Sequence, residues 1–301
     1  MIRIGSRGSQ LALWQSNHIA ALLRARGHEV AIATITTTGD QLQGVPFARV
    51  GSKGMFTKEI EEALAEGAID LAVHSLKDLP TELDARFVIA AVTERVDPRD
   101  VFVSTRFASM DELPAGARVG TSSLRRQSQL CARWPGLEYV EFRGNVDTRL
   151  RKLSEGQVDA AVLAAAGLDR LERTEWVRER FSEDVLCPAP GQGALGIECR
   201  AADERTRTVL ATLDHAESRF AVTAERVALA ALGGGCQVPI GAYCRQDGDQ
   251  YRIRGCVSSP DGATVLRAEM RGSDAPSLGA DLADALLRQG ALQLLAQQGS
   301  Q

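Results

Sequence analysis

The chain has 301 residues, 44% hydrophobic and 25% charged, with a net charge of −4 and a pI near 5.7. That composition suits a globular protein of two or three domains, and its mild acidity excludes a global attraction to nucleic acid or membrane. Any anion-binding surface must therefore be local.

The opening MIRIGSRGSQ lacks the apolar core of an export signal, and no apolar run is long enough to span a bilayer. The cytoplasm is the expected compartment. Cysteines fall at 131, 187, 199, 236, 244 and 256, with no CxxC pair and no histidine at zinc-ligand spacing. Free thiols and no metal site are expected.

In chain order, Ile2 to Ile4 reads as a short strand followed by the turn Gly5-Ser6-Arg7-Gly8-Ser9. A helix with Leu11, Leu13, Trp14, Ile19, Leu22 and Leu23 on its apolar face ends at Gly27. Glu29 to Thr37 alternates as a strand does, and Thr38 to Lys53 is a polar, glycine-bearing loop. Thr57 can cap a helix to Glu66, and Ile69 to His74 is a buried strand that releases Ser75-Leu76-Lys77-Asp78-Leu79-Pro80.

Beyond Pro98, strands are expected at 101–103, 117–120, 137–142 and 160–163, with helices from Leu124 and over Val146 to Ser154. This alternation points to an α/β fold with a largely parallel sheet. Leu64 to Val73 and Leu153 to Val162 match at seven of ten positions, counting Ile69 against Val158. Each has a helix ending at glycine and feeding a buried strand, so two similar lobes with a ligand cleft are expected. Pro188 to Gly193 reads as a crossover before a strand at 194–199 and helices over 204–213 and 216–232. Strands at 242–245, 251–257 and 264–271 and a helix from Leu278 to about Ala296 complete a small α+β unit.

Between those last helices and strands lies LGGGCQVPIG, Leu232 to Gly241. Three glycines and a nearby proline exclude helix or central strand, which places Cys236 on a bare loop. Such a cysteine is accessible and a candidate for reaction, though a small buried thiol beside a turn fits the same residues. Arginine is concentrated at Arg125, Arg126, Arg133, Arg143, Arg149 and Arg151, with Arg170 following. Arg125 and Arg126 open a helix, where cations oppose the dipole, so helix stability does not account for them and an anionic ligand does. Arginine rather than lysine favours forked recognition of carboxylate or phosphate. Asp78 leaves the end of a strand where an α/β site lies, with Lys77 supplying positive charge beside it, although a turn aspartate ahead of Pro80 reads the same way. His74 reads as a satisfied strand-end histidine.

Seven stretches together resemble the porphobilinogen deaminase family, also called hydroxymethylbilane synthase. They are Arg7 to Gln15, Gly51 to Phe56, His74 to Pro80, Gly120 to Arg126, Phe142 to Leu150, Pro190 to Ala194 and Gly234 to Ile240. The resemblance spans nearly the whole chain and fades beyond Tyr243; Ser52 stands where the loop often has glycine.

The resemblance implies two similar doubly wound, periplasmic-binding-protein-like lobes plus a small C-terminal α+β domain. Lobe 1 would be 1–95 with 191–213, lobe 2 would be 98–188, and 216–301 would carry the cofactor. It implies a cytoplasmic, monomeric transferase of haem- and chlorophyll-type tetrapyrrole biosynthesis that joins four porphobilinogen molecules into hydroxymethylbilane and releases ammonia. A dipyrromethane cofactor would be held by a thioether to Cys236, with Arg125, Arg126, Lys77, Ser75, Thr121, Ser123 and Asp78 around it. Arg7, Ser9, Arg143, Arg149, Arg170 and Lys53 would bind substrate carboxylates. Asp78, with Lys77, would be catalytic, since a carboxylate stabilises the cation formed when ammonia leaves. The competing reading is a two-lobed protein that captures an anionic small molecule without reaction; it gives the triglycine cysteine no purpose. A nucleic-acid reading fails for want of interleaved aromatics and basic charge.

Overall fold

The computed structural model describes residues 1–41, 57–234 and 238–296. The chain forms β1 (Ile2–Ser6), α1 (Gln10–Ala25), β2 (Val30–Thr34), a one-turn α2 (Thr38–Gln41), α3 (Lys58–Ala65), β3 (Leu71–Ser75) and β4 (Phe87–Val92). It continues through β5 (Asp100–Val103), β6 (Arg118–Gly120), α4 (Leu124–Arg133), β7 (Glu138–Val140), α5 (Val146–Ser154), β8 (Ala160–Ala164), α6 (Ala165–Arg170) and β9 (Val177–Arg180). After β10 (Leu195–Arg200) and α7 (Glu204–Ala211) come α8 (Ala216–Ala231), β11 (Ile240–Asp247), β12 (Gln250–Ser258), β13 (Val265–Gly272), α9 (Ala275–Arg288) and α10 (Ala291–Ala296). Two compact units result, one of Met1–Arg95 with Ala194–Arg219, the other of Val96–Gly193 with Phe220–Gln301.

The first unit holds a five-stranded sheet in the order β2-β1-β3-β10-β4. β1 is parallel to β2 and β3, and β10 is antiparallel to both its neighbours. The second unit holds β7-β6-β8-β5-β9, with β6 parallel to β7 and β8, and β5 antiparallel to both its neighbours. The two sheets share one topology. Each has a single reversed strand: β10, laid down when the chain returns to the first unit, and β5, the first strand after the chain enters the second.

The sequence echo falls on equivalent strands, β3 and β8. Gly67 and Gly156 both take left-handed backbone after a helix, with φ of +71° and +75°, where glycine alone carries no Cβ penalty. Two residues later the chain straightens, and an aspartate secures the next strand. Asp70 accepts the Arg3 N–H at 2.8 Å, and Asp159 accepts the Arg118 N–H at 2.8 Å.

Alternation along the strands fills both faces of each sheet. In the first, Ile4, Leu71, Val73 and Ile197 meet Ile19 and Leu23 of α1 and Leu210 of α7, while Ala72 and Phe87 meet Ile60 and Leu64 of α3. In the second, Phe102, Val119, Ala160 and Val162 pack with Leu130 of α4. Its other face sets Val101, Ala161 and Leu163 against α5 and α6. The three-stranded sheet β11-β12-β13 packs with Ala224, Ala228, Leu278, Leu282 and Leu286 of α8 and α9. Buried Glu225 of α8 ties this sheet down, its two oxygens accepting the Gly191 and Cys244 N–H groups at 2.7 Å each.

Three elements run against the sequence reading. β4, α6 and β9 were not anticipated: FVIAAV has no clean alternation, and AAGLDR is too short to show a helical period. The single terminal helix is two, because Gly290 at φ +98° reverses the backbone between α9 and α10. The loop expected from Thr38 begins with α2, and its remainder to Lys53 lies outside the described residues.

Burial alone would raise the Asp70 carboxyl, but hydrogen bonds from Arg3 outweigh it and the pKa is lowered. A carboxyl held below its unfolded value of about 3.9 adds stability above that pH and loses it as pH falls through the folded value. Asp70→Asn should therefore lower the urea midpoint at neutral pH. The gap from the parent should close below about pH 4, measured by urea unfolding across a pH series.

Candidate active site

In the first unit the candidate residues lie where β1 and β3 end. Ser9 caps α1, its Oγ accepting the Ala12 N–H at 3.3 Å, and Arg7 is half-buried in the turn before it. Ser75 ends β3 and accepts a hydrogen bond from Gln15 Nε2 at 2.8 Å. Leu76–Asp78 then forms a single 3₁₀ turn. Leu76 and Leu79 are buried, Lys77 is half-buried and Asp78 is exposed. Two leucine anchors thus hold the turn and leave its carboxylate toward solvent. His74 is satisfied, as its place at a strand end predicts: its Nε2 lies 3.0 Å from Oε2 of buried Glu198.

In the second unit the candidates gather after β6. Gly120 admits Phe142, whose ring would lie 2.6 Å from a Cβ there. Thr121 is buried; its Oγ1 accepts the Ser123 N–H at 3.2 Å. Ser123 caps α4 by accepting the Arg126 N–H. Arg125 and Arg126, at 4% and 6% exposure, are far more buried than surface charges. Both converge on Asp100, which is fully buried. Arg125 Nη1 donates to Asp100 Oδ2 at 2.8 Å and to the Cys187 carbonyl at 2.6 Å. Arg126 donates through Nε at 2.9 Å to Asp100 Oδ1 and through Nη1 to the Val162 carbonyl at 3.2 Å. Gln192 Nε2 reaches the same Asp100 oxygen at 3.0 Å.

Two guanidiniums thus meet one carboxylate in a protected place. Arg170, the last residue of α6, donates to the Gly193 carbonyl at 2.8 Å, and burial pushes its pKa down to about 10. Desolvated guanidinium gains when an anion arrives. Arg143 is half-buried and paired with Glu141. It precedes Gly144, whose φ of +126° and 2.7 Å approach to Thr148 Cγ2 exclude other residues. Arg149 lies half-buried on α5.

Cys236 and Lys53 lie outside the described residues. The glycines before the cysteine have local reasons of their own. Gly233, at φ +67°, terminates α8, and a Cβ on Gly234 would meet Leu229 Cδ1 at 2.6 Å and Ile240 Cδ1 at 2.8 Å. Sequence reasoning passed over Asp100, Gln192, Glu198 and Glu225. For Asp100 and Glu198 a signal existed, since each is a lone acid beside or inside an apolar strand, VFV and LGIEC.

A family model for the porphobilinogen deaminase dipyromethane cofactor binding domain matches residues 2–208. A second, for the porphobilinogen deaminase C-terminal domain, matches residues 219–288. The chain belongs to the porphobilinogen deaminase family. A curated porphobilinogen deaminase of Trichlorobacter lovleyi is 50% identical over 298 residues, covering 98% of this chain and 95% of that protein. Among solved structures, the methionine binding protein MetQ is 15% identical with a TM-score of 0.46, covering 72% of this chain and 91% of the other. An ABC transporter periplasmic substrate-binding protein from Coxiella burnetii is 15% identical with a TM-score of 0.44, over 75% and 97% of the two chains. The family assignment rests on the sequence matches.

The family's dipyrromethane carries carboxylate side chains, and the donor set after β6 would suit such a group: two buried guanidiniums with a capped helix start beside them. No helix among the described residues is long and apolar enough to cross a membrane. No group of three or more His, Cys, Asp or Glu among them is placed to hold a metal ion.

Asp100→Asn should strip both buried arginines of their counter-charge and cost about 3–5 kcal/mol in urea unfolding. Asp84→Asn, which breaks the exposed pair with Arg86, should unfold like the parent.

Proposed function

We propose that Asp78, assisted by Lys77, carries the chemistry, that Cys236 bears the dipyrromethane through a thioether, and that the arginines of the second unit hold the carboxylates. As a member of its family the chain is a transferase of tetrapyrrole biosynthesis. It joins four porphobilinogen molecules head to tail into hydroxymethylbilane and releases ammonia at each addition. When bound, the dipyrromethane supplies the primer to which pyrrole units are added.

The observation that carries the site assignment is the arrangement around Asp100. Each pyrrole brings an acetate and a propionate, and Arg125 and Arg126 sit buried and pre-oriented, with little entropy left to lose. Thr121 and Ser123 add hydroxyls at the same helix start, and Arg143, Arg149 and Arg170 extend the cationic set. In the first unit, Arg7 and Ser9 serve a substrate carboxylate, and Lys53 joins them. Ser75 and Lys77 serve the cofactor beside Asp78. The Asp78 carboxylate stabilises the positive charge that develops as ammonia departs, and takes up or returns the proton at the leaving amine.

The division of labour follows the chain: 1–95 with 191–213 presents Asp78, 98–188 supplies the arginines and 216–301 carries Cys236. We further propose a cytoplasmic monomer acting on small molecules, without a nucleic-acid partner. Capture of an anion without reaction is disfavoured by the family match and gives Asp78 nothing to do.

Intact-mass measurement on denatured protein tests the reading. The parent should exceed its sequence mass by two pyrrole units, and Cys236→Ser should not. Asp78→Asn should keep the added mass while losing about 10²–10⁴-fold in kcat. Neither adduct nor ammonia after incubation with porphobilinogen would sink the proposal.

A further inference from the structure

Glu198 is a buried carboxyl group that the chemistry above leaves unused. It sits on β10 with no exposure, and its second oxygen, Oε1, is buried without a hydrogen-bond partner among the described residues. Its other oxygen meets His74, which is 8% exposed. Glu61 of α3 faces the same pair: burial raises its carboxyl pKa, and the charge on Glu198 raises it further. One hydrogen bond does not restore the hydration that an interior carboxylate gives up, so stability alone would favour an apolar residue here.

The place of Glu198 in the sheet supplies the reason. β10 lies antiparallel to β3, with Leu195 opposite Ser75 and Gly196 opposite His74. It meets the end of β3 and the Asp78 turn at alternate residues. The Ala194 carbonyl accepts the Leu76 N–H at 3.1 Å. Gly196 leaves room for the leucine anchors, since a Cβ there would lie 2.6 Å from Leu76 Cδ1 and 3.5 Å from Leu79 Cδ1. Glu198 then grips His74, one residue before Ser75.

We infer that Glu198 is a positioning residue for the Asp78 turn, acting through His74. Its bond to the imidazole fixes the side chain that precedes the turn, so the turn leaves the sheet in one orientation. A carboxyl group does this where an apolar side chain does not, because it forms a directional hydrogen bond with the imidazole. Small misplacement of a reacting group far from the chemistry is enough to slow a reaction by orders of magnitude. The inference rests on the catalytic reading of Asp78.

Glu198→Gln keeps the size and replaces the carboxyl group by an amide. In the cofactor-loaded enzyme it should lower kcat by about tenfold or more while KM stays within about twofold. The added mass should be retained and the thermal midpoint should hold or rise. His74→Asn should show the same split, and the double variant should lose no more than the worse single one, as for groups acting as a unit. Wild-type kcat in Glu198→Gln beside an inactive Asp78→Asn would overturn the inference alone. A loss of kcat that tracks loss of folded, loaded protein would overturn it too, by making the role structural. Wild-type kcat in Asp78→Asn would remove the catalytic reading and this inference with it.

Discussion

One buried carboxylate organises the second unit. Asp100 begins β5, and its two oxygens receive Arg125, Arg126 and Gln192. The start of a strand, the start of a helix and the glycine-rich segment before β10 are thereby fixed at a single point. A buried carboxylate needs cations to offset its lost hydration, and Arg125 and Arg126 supply them.

The first unit solves a parallel problem with weaker means. Its Asp78 turn is held by its own two leucines, by the Ala194 carbonyl ahead of β10 and, one residue before Ser75, by the His74–Glu198 pair. Both units use the same sheet topology, and both put their polar turns after the parallel strands, where backbone N–H groups of the following helix face outward. Rigid strands set the positions, and short turns carry the chemistry.

What the sequence disclosed follows from how local the signal is. α5 was legible in place, because the helix ends at Gly156 and feeds a buried strand within one short stretch, while its Asn145 cap is a finding of the structure. The duplicated lobes were legible for the same reason, through the shared glycine-to-strand junctions at Gly67 and Gly156. The arginines were visible as a concentration of charge, and Asp78 as a strand-end acid. Their partners were not. Asp100 lies 25 residues from Arg125, and Glu198 lies 124 residues from His74, distances at which only the fold decides who meets whom. Cys236 lies outside the described residues, while helix termination and close packing account for Gly233 and Gly234 before it.

The depth of the arginine pair also bears on salt. At an ionic strength near the physiological value, charges in water are screened over roughly 8 Å, whereas groups sunk in protein are shielded far less by mobile ions. Arg125 and Arg126 belong to the second kind and Arg151, on the open face of α5, to the first. An acidic ligand seated on the buried pair would therefore keep its hold as electrolyte is added, while its approach across the surface would slow. In a protein that is acidic overall, grip and capture answer to different parts of the same medium.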